Sequence, residues 1–326
     1  MSSPHPRDVP LEQARALIQR AVDKAEQLGL RGGIAVVGAS GALVSASRLD
    51  HGGPGGMARA ASKAWISGTQ QIPSTEHLHR MTTLPQPISA GFVQVSPQAV
   101  FPGAGGMPVL DPDGVVLGGI AASGATVSPF LPAGVAPEVV SADGGPANPE
   151  DLLIAYALGV AYVGQHGDDE VRWEARFGDL VVAPQDSLGT AAAPTASRQH
   201  ELAWARGLCD RVLAAALERG LRVSVAVVDR GGDPVQQDRM DDAVAAGVEL
   251  ALATAATAAR FGCASAEVPF RFGDATPSLA ALHPTPFLAA PGGVPLEVDG
   301  RVVGGLGVGG ADPQTCAEIA LEVSGT

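Results

Sequence analysis

The stretch IAVVGASGALVSASRLD, residues 34–50, decides how this chain is read, because VAVVDRGGDPVQQDRMD at residues 225–241 repeats it. Each copy opens on an apolar run, Ile34–Val37 or Val225–Val228, passes through a turn, and closes on Arg48-Leu49-Asp50 or Arg239-Met240-Asp241. From 34 to 225 the shift is 191 residues. It holds without a gap back to Leu28-Gly29-Leu30-Arg31, matched by Arg219-Gly220-Leu221-Arg222, and forward to about Thr69. Beyond that the register slips by a few residues. Gly105-Gly106-Met107-Pro108 corresponds to Gly292-Gly293-Val294-Pro295, and Gly118-Gly119-Ile120 to Gly304-Gly305-Leu306. Ordered blocks of this kind within one chain mark an internal duplication.

Within each copy the periodicities give a coarse order of elements. Leu11, Ala14, Ile18, Ala21, Ala25 and Leu28 recur at helical spacing, and Gly29 suits the helix end. The runs 33–37 and 43–47 around Gly41 read as a hairpin, for which Asp229-Arg230-Gly231-Gly232 is the stronger turn in the second copy. A small-residue helix is expected from Met57 to about Gly68 and from Val244 to Arg260, followed by a long irregular stretch. A second hairpin, 107–110 and 115–121 around Asp111-Pro112-Asp113-Gly114, is mirrored by 294–298 and 301–308. Closing helices are expected at 149–163 and 313–323. Hairpins with flanking helices predict an α+β fold, an antiparallel sheet covered by helices. Copy one spans 8–164 with a Pro/Gly-rich insertion at 128–148, a linker runs over 165–197, and copy two spans 198–326.

Bulk composition removes several function classes. The net charge of −13 argues against nucleic acid, which demands clustered Lys and Arg, and against an anionic membrane surface. No stretch approaches the ~20 apolar residues of a membrane span, and residues 1–10 carry no apolar signal segment, so the reading predicts a cytoplasmic protein. Cys209, Cys263 and Cys316 have neither a disulfide framework nor zinc-ligand spacing, so no metal site is expected. The Gly-rich runs at 103–106 and 304–310 lack both the phosphate-loop and dinucleotide patterns, and read as places of close backbone packing.

Taken together, IAVVGASGALVSASRLD, SKAW and GGMPVLDPDGVVLGGIAASG, with SVAVVDRGGDPVQQDRMDDA and FLAAPGGVPLEVDGRVVGGLGVGG in copy two, resemble the GlcG/HbpS-type haem-binding domain, also found at the C-terminus of PduO-type proteins. The resemblance covers most of both copies. It implies two α/β sandwiches in tandem forming an intrachain pseudo-dimer, a bacterial source, a small-molecule ligand with haem among the candidates, and assembly into homo-oligomers. His200, at the start of copy two's first helix, is the analogue of the helix histidine that ligates haem in PduO-like members.

The individual residues leave two roles open at each position. Arg48 and Asp50, with Arg239 and Asp241, either clamp an anionic ligand at a pocket mouth or form a structural pair closing the loop into the next helix. Ser123 is grouped with them as ligand-binding. Lys63 has only Lys24 as company in the whole chain, and Thr254 stands at its place in copy two. It is either a partly desolvated base or a solvated lysine on an exposed helix face. His77 and His79 in the irregular segment are candidate acid/base residues beside it. Two functions follow: a small-molecule binding protein with a pocket in or between the repeats, or a cofactor-independent isomerase, lyase or cyclase with its acid/base site in copy one.

Overall fold

The computed structural model describes residues 8–50, 52–101, 103–124, 148–160, 201–282 and 286–325. In chain order the elements are α1 (Leu11–Gln27), β1 (Gly33–Gly38), β2 (Leu43–Arg48), α2 (Gly56–Gln70), α3 (Ser74–Thr83), α4 (Gln86–Val95), β3 (Gly106–Leu110), β4 (Val116–Ser123) and α5 (Pro149–Leu158). There follow α6 (Glu201–Glu218), β5 (Ser224–Asp229), β6 (Pro234–Arg239), α7 (Gly247–Phe261), α8 (Val268–Phe272), α9 (Thr276–Leu282), β7 (Gly293–Val298), β8 (Arg301–Gly309) and α10 (Pro313–Ser324). Residue contacts divide the chain into two compact units, Met1–Ala42 with Leu49–Arg198, and Leu43–Arg48 with Gln199–Thr326. The linker at 165–197 and, apart from Asn148, the insertion at 128–148 lie outside the described residues.

Unit one is built on the antiparallel strands β3-β4-β1, with Gly33 opposite Ser123 and Gly106 opposite Ala121. Neighbouring strand residues point to opposite faces, and Gly118-Gly119 uses both. A Cβ on Gly119 would fall on the Ala64 carbonyl of α2, and one on Gly118 would meet Val9 at the entry to α1. The helix α2 therefore lies against one face with almost no side-chain layer between, which is why it is rich in small residues. On α1, Ala14, Ile18, Ala21 and Ala25 are buried, the stripe the helical spacing predicts, and α5 packs beside α1.

Unit two follows the same logic with five strands, β2-β6-β5-β8-β7, all antiparallel. Leu306 and Val308 of β8 join Val225 and Val227 in a core closed by α6 and α10, through Leu208, Val212 and Ile319. The alternate residues Gly305, Gly307 and Gly309 turn to α7, where a Cβ on each would strike helix backbone.

The strand β2 comes from the first repeat in sequence but groups with unit two. It pairs with β6 in a register centred on Ala46–Gln237, themselves counterparts in the duplication. The side chains of this pair are polar yet buried. Ser45 Oγ donates to Asp238 Oδ1 at 2.7 Å, Gln236 Nε2 to Asp238 Oδ2 at 2.9 Å, and Ser47 Oγ to Gln236 Oε1 at 2.6 Å. Arg206 from α6 adds a bond to Ser47 Oγ at 3.1 Å. Buried polar groups are tolerated only when paired, so the network fixes the register as firmly as an apolar pattern would. Replacing Asp238 with Ala removes the acceptor of Ser45 and the nearer of two acceptors of Gln236, which keeps only the Gln237 carbonyl at 3.5 Å. Chemical denaturation is expected to show a loss of about 1.5–3 kcal/mol.

One sequence expectation is corrected here. The stretch read as irregular after α2 is helical, as α3 and α4 in the first repeat and α8 and α9 in the second. Pro73, Pro85 and Gly273 sit at the helix ends, and short helices separated by breakers carry too little periodicity to be seen.

Candidate functional site

Lys63 lies in the middle of α2 and is 3% exposed, so the exposed-face reading fails. Its ammonium donates to Glu150 Oε2 at 2.5 Å, to the Ala104 carbonyl at 2.7 Å and to the Ala122 carbonyl at 3.3 Å. These match the three donors of a lysine, which explains how it tolerates burial. The Phe101 ring lies 5.7 Å from the same nitrogen. Glu150 and Asp151 begin α5 after the Asn148 cap, whose side chain accepts from both of their amides. Glu150 Oε1 takes the Gly124 amide at 2.7 Å and Asp151 Oδ1 the Gly105 amide at 2.6 Å. Burial, reinforced by the neighbouring Glu150, pushes the Asp151 carboxyl up to about 7 against the opposing pull of the Gly105 amide and Lys63.

This charged cluster fastens a short segment. Ser62 Oγ donates to the Ala99 carbonyl at 2.8 Å and accepts the Phe101 amide at 2.7 Å. Lys63 holds Ala104, Asp151 holds Gly105, and Ser74 at the start of α3 holds the Gly103 carbonyl. Gly105 adopts φ +100°, a conformation other residues resist.

One turn along α3 from Ser74 is His77, 4% exposed and tilted against Phe92 of α4, with ring centroids 5.0 Å apart. Burial, with Arg80 nearby, holds its imidazole below the ordinary value, so it is neutral at neutral pH. Its Nε2 is buried and has no hydrogen-bond partner. His77 lines an open cavity of ≈ 330 Å³ with Met81, Thr82, Ser89, Ala90, Val93 and Val100. Val100 belongs to the segment that Ser62, Lys63 and Asp151 hold. Lys63 is not among the residues that line this cavity.

The other candidates are placed elsewhere. His79 is exposed on α3, about two residues of helix rotation away from His77. Ser123 is buried at the end of β4, between the Ala122 and Gly124 contacts of the cluster. Asp50 is half-buried in unit one. In unit two, Arg48 is directed to the β5–β6 turn, reaching Asp229 at 2.8 Å and Asp233 at 3.0 Å. Arg239 donates to the Leu43 carbonyl at 2.9 Å, and Asp241 is exposed. His200 lies outside the described residues. Cys209, Cys263 and Cys316 are buried, and among the described residues no cluster of His, Cys, Asp and Glu is arranged to hold a metal. No described helix is long and apolar enough to cross a membrane.

The family profile described as Haem degrading protein HbpS-like matches residues 9–129 and again 200–323. The chain belongs to the HbpS-like family. The HbpS-like chain is 32% identical over 130 residues to an uncharacterised 15.0 kDa protein of Citrobacter freundii from the dhaT-dhaS intergenic region, covering 37% of this chain and 89% of that one. Among solved structures it is similar to a double mutant of Streptomyces reticuli HbpS, at 31% identity over 41% of this chain and 96% of the other, with a TM-score of 0.36. A PduOC:heme complex is matched at 24% identity, over 40% and 94%, with a TM-score of 0.35.

Glu150 and Asp151 were not singled out from the sequence, because acids in a first helical turn are ordinary partners of the helix dipole. A signal was available in the duplication. Lys63, Glu150 and Asp151 become Thr254, Gln314 and Thr315 in the second repeat, all three charges vanishing together. His77 is likewise replaced, by Val268, which is fully buried.

Proposed function

We propose that the HbpS-like chain binds a small molecule in unit one, in the α3–α4 cavity, with haem as the ligand and His77 as the donor to its iron. The observation that carries this reading is the buried, neutral, unpartnered Nε2 of His77 at a position the second repeat fills with Val268. An imidazole kept dry and without a partner is destabilising unless something else uses it. The residues present fit a haem iron in kind, since haem takes a neutral imidazole donor and an apolar wall, here Met81, Val93 and Val100. The cavity is at the lower end of ordinary ligand pockets, so the ring would lie partly in its open mouth. Bound haem would supply redox-active iron, and His77 would orient it. The family description, and the haem held by the PduO relative, support the same ligand class.

The test is titration of the full chain with haemin, followed by the Soret band. One haemin per chain is expected, because Val268 replaces the donor in the second repeat, and His77→Ala should abolish the saturable band while His200→Ala keeps it. Absence of a saturable band sinks the reading. Loss of the band in His200→Ala alone moves the iron ligand away from His77.

The acid/base alternative is favoured by one observation, the Asp151 carboxyl near neutrality. It is covered by the 103–105 turn in this conformation, and catalysis through it would need that cover to move.

A further inference from the structure

The cavity beside His77 is walled by α3 and α4, and among the described residues Val100 is the lining residue that comes from neither helix. Residues 99–101 belong to no helix or strand, so no regular backbone ladder fixes Val100. Side-chain bonds do so instead, and the nearest comes from Ser62 on α2. Its hydroxyl donates to the Ala99 carbonyl at 2.8 Å and accepts from the Phe101 amide at 2.7 Å, gripping the peptide groups on both sides of Val100. Ser62 does not line the cavity itself, so anything it does for a ligand passes through Val100.

The second repeat lacks that hydroxyl. Its segment is held in the same register at one point: Ser74 donates to the Gly103 carbonyl, and the counterpart Ser265 donates at 2.5 Å to the carbonyl of Ala290, counterpart of Gly103. At the place of Ser62, however, stands Ala253. The amide of Leu288, counterpart of Phe101, goes to Thr257 Oγ1 at 2.9 Å, one helical turn further on. Met81 and Val100 of the cavity wall become Phe272 and Phe287, and both rings pack on Phe261, with centroids 5.3 Å and 5.6 Å away.

We propose that Ser62 is a positioning residue for ligand binding, its hydroxyl clasping Val100 where the wall leaves the His77 cavity open. The second repeat, clasped from Thr257, has exchanged that arrangement for an aromatic cluster. The ligand role rests on the cavity reading above, whereas the clasp does not. A wall that loses its clasp is in the binding-competent place for only part of the time, and apparent affinity falls by that fraction. Loss of an ordinary neutral hydrogen bond corresponds to about a tenfold change.

Two measurements on the full chain test this. In Ser62→Ala, hydrogen-exchange protection of the Phe101 amide should fall about tenfold while β1 is unchanged, and haemin should bind about tenfold more weakly by Soret titration. Ser62→Thr, which keeps the hydroxyl, should restore both. Thr257→Val removes a comparable buried hydroxyl from the second repeat, and haemin affinity should ignore it. Unchanged Phe101 exchange in Ser62→Ala overturns the clasp. Faster exchange with unchanged haemin affinity, or equal weakening in Thr257→Val, overturns the positioning role. If the wild-type chain takes up no haemin, the cavity reading fails and the ligand role falls with it, while Phe101 exchange still decides the clasp.

Discussion

Replacing Lys63 with Met is expected to destabilise unit one by about 3–5 kcal/mol at pH 8, the usual effect of removing one partner from a buried ion pair. Methionine fills nearly the same volume, so the loss is electrostatic. Glu150 loses its 2.5 Å partner, the Ala104 and Ala122 carbonyls lose a donor, and two carboxylates remain face to face in a dry site. The pH dependence follows from Asp151. Its folded pKa lies above the unfolded value, so between pH 3.8 and about 7 the folded chain holds a proton that the unfolded chain has lost. Stability from this group is complete below that window and declines as pH rises through it. Lys63 opposes that rise, so its removal should hurt more at pH 8 than at pH 5. Denaturant melts at both pH values measure the difference. The neutral triple variant Lys63→Met, Glu150→Gln, Asp151→Asn should be less destabilised than Lys63→Met alone, because no charge is left unpaired and both amide acceptors survive. The second repeat has already made an uncharged version of this cluster with Thr254, Gln314 and Thr315. A triple variant at least as unstable as the single one would refute the electrostatic account.

Gly119→Val should be worse still tolerated, preventing α2 from seating on the sheet. A side chain there would fall on the Ala64 carbonyl and lie 2.6 Å from the Gly68 amide, both helix backbone with no rotamer to yield. Overpacking ordinarily costs about 1–3 kcal/mol when side chains can shift, and a backbone collision exceeds that range. The expected result is a protein that accumulates poorly, or whose thermal midpoint drops by more than about 10 °C. Gly114→Ala is the contrast. Nothing lies within 4 Å of its added carbon, so only the turn conformation at φ +82° is strained, a smaller loss. Equal effects from the two substitutions would mean that helix–sheet clearance is not what Gly119 provides.

The amino-acid sequence determined the duplication, the antiparallel hairpins and the small-residue helix, because each rests on a local pattern: a constant shift, period-2 runs around glycine turns, and glycines facing alanines. It also marked Lys63, since one lysine among small residues, absent from the second copy, is visible without coordinates. The helices α3 and α4 escaped notice because each is about ten residues long and bounded by proline, too short for a periodic signal. Tertiary structure alone decided what Lys63 meets. Glu150 lies 87 positions away, and only the packing of α5 onto β3 and β4 brings its carboxylate to the ammonium. The same holds for His77. Its sequence neighbours say nothing of burial, whereas the folding back of α4 sets Phe92 against its ring, and its Nε2 is buried without a hydrogen-bond partner. Strand β2 makes the point most directly. Its sequence places it in the first repeat, yet the hydrogen bonds of Ser45 and Ser47 to Asp238 and Gln236 join it to the second unit, because partner choice between strands depends on which polar groups meet across the ladder.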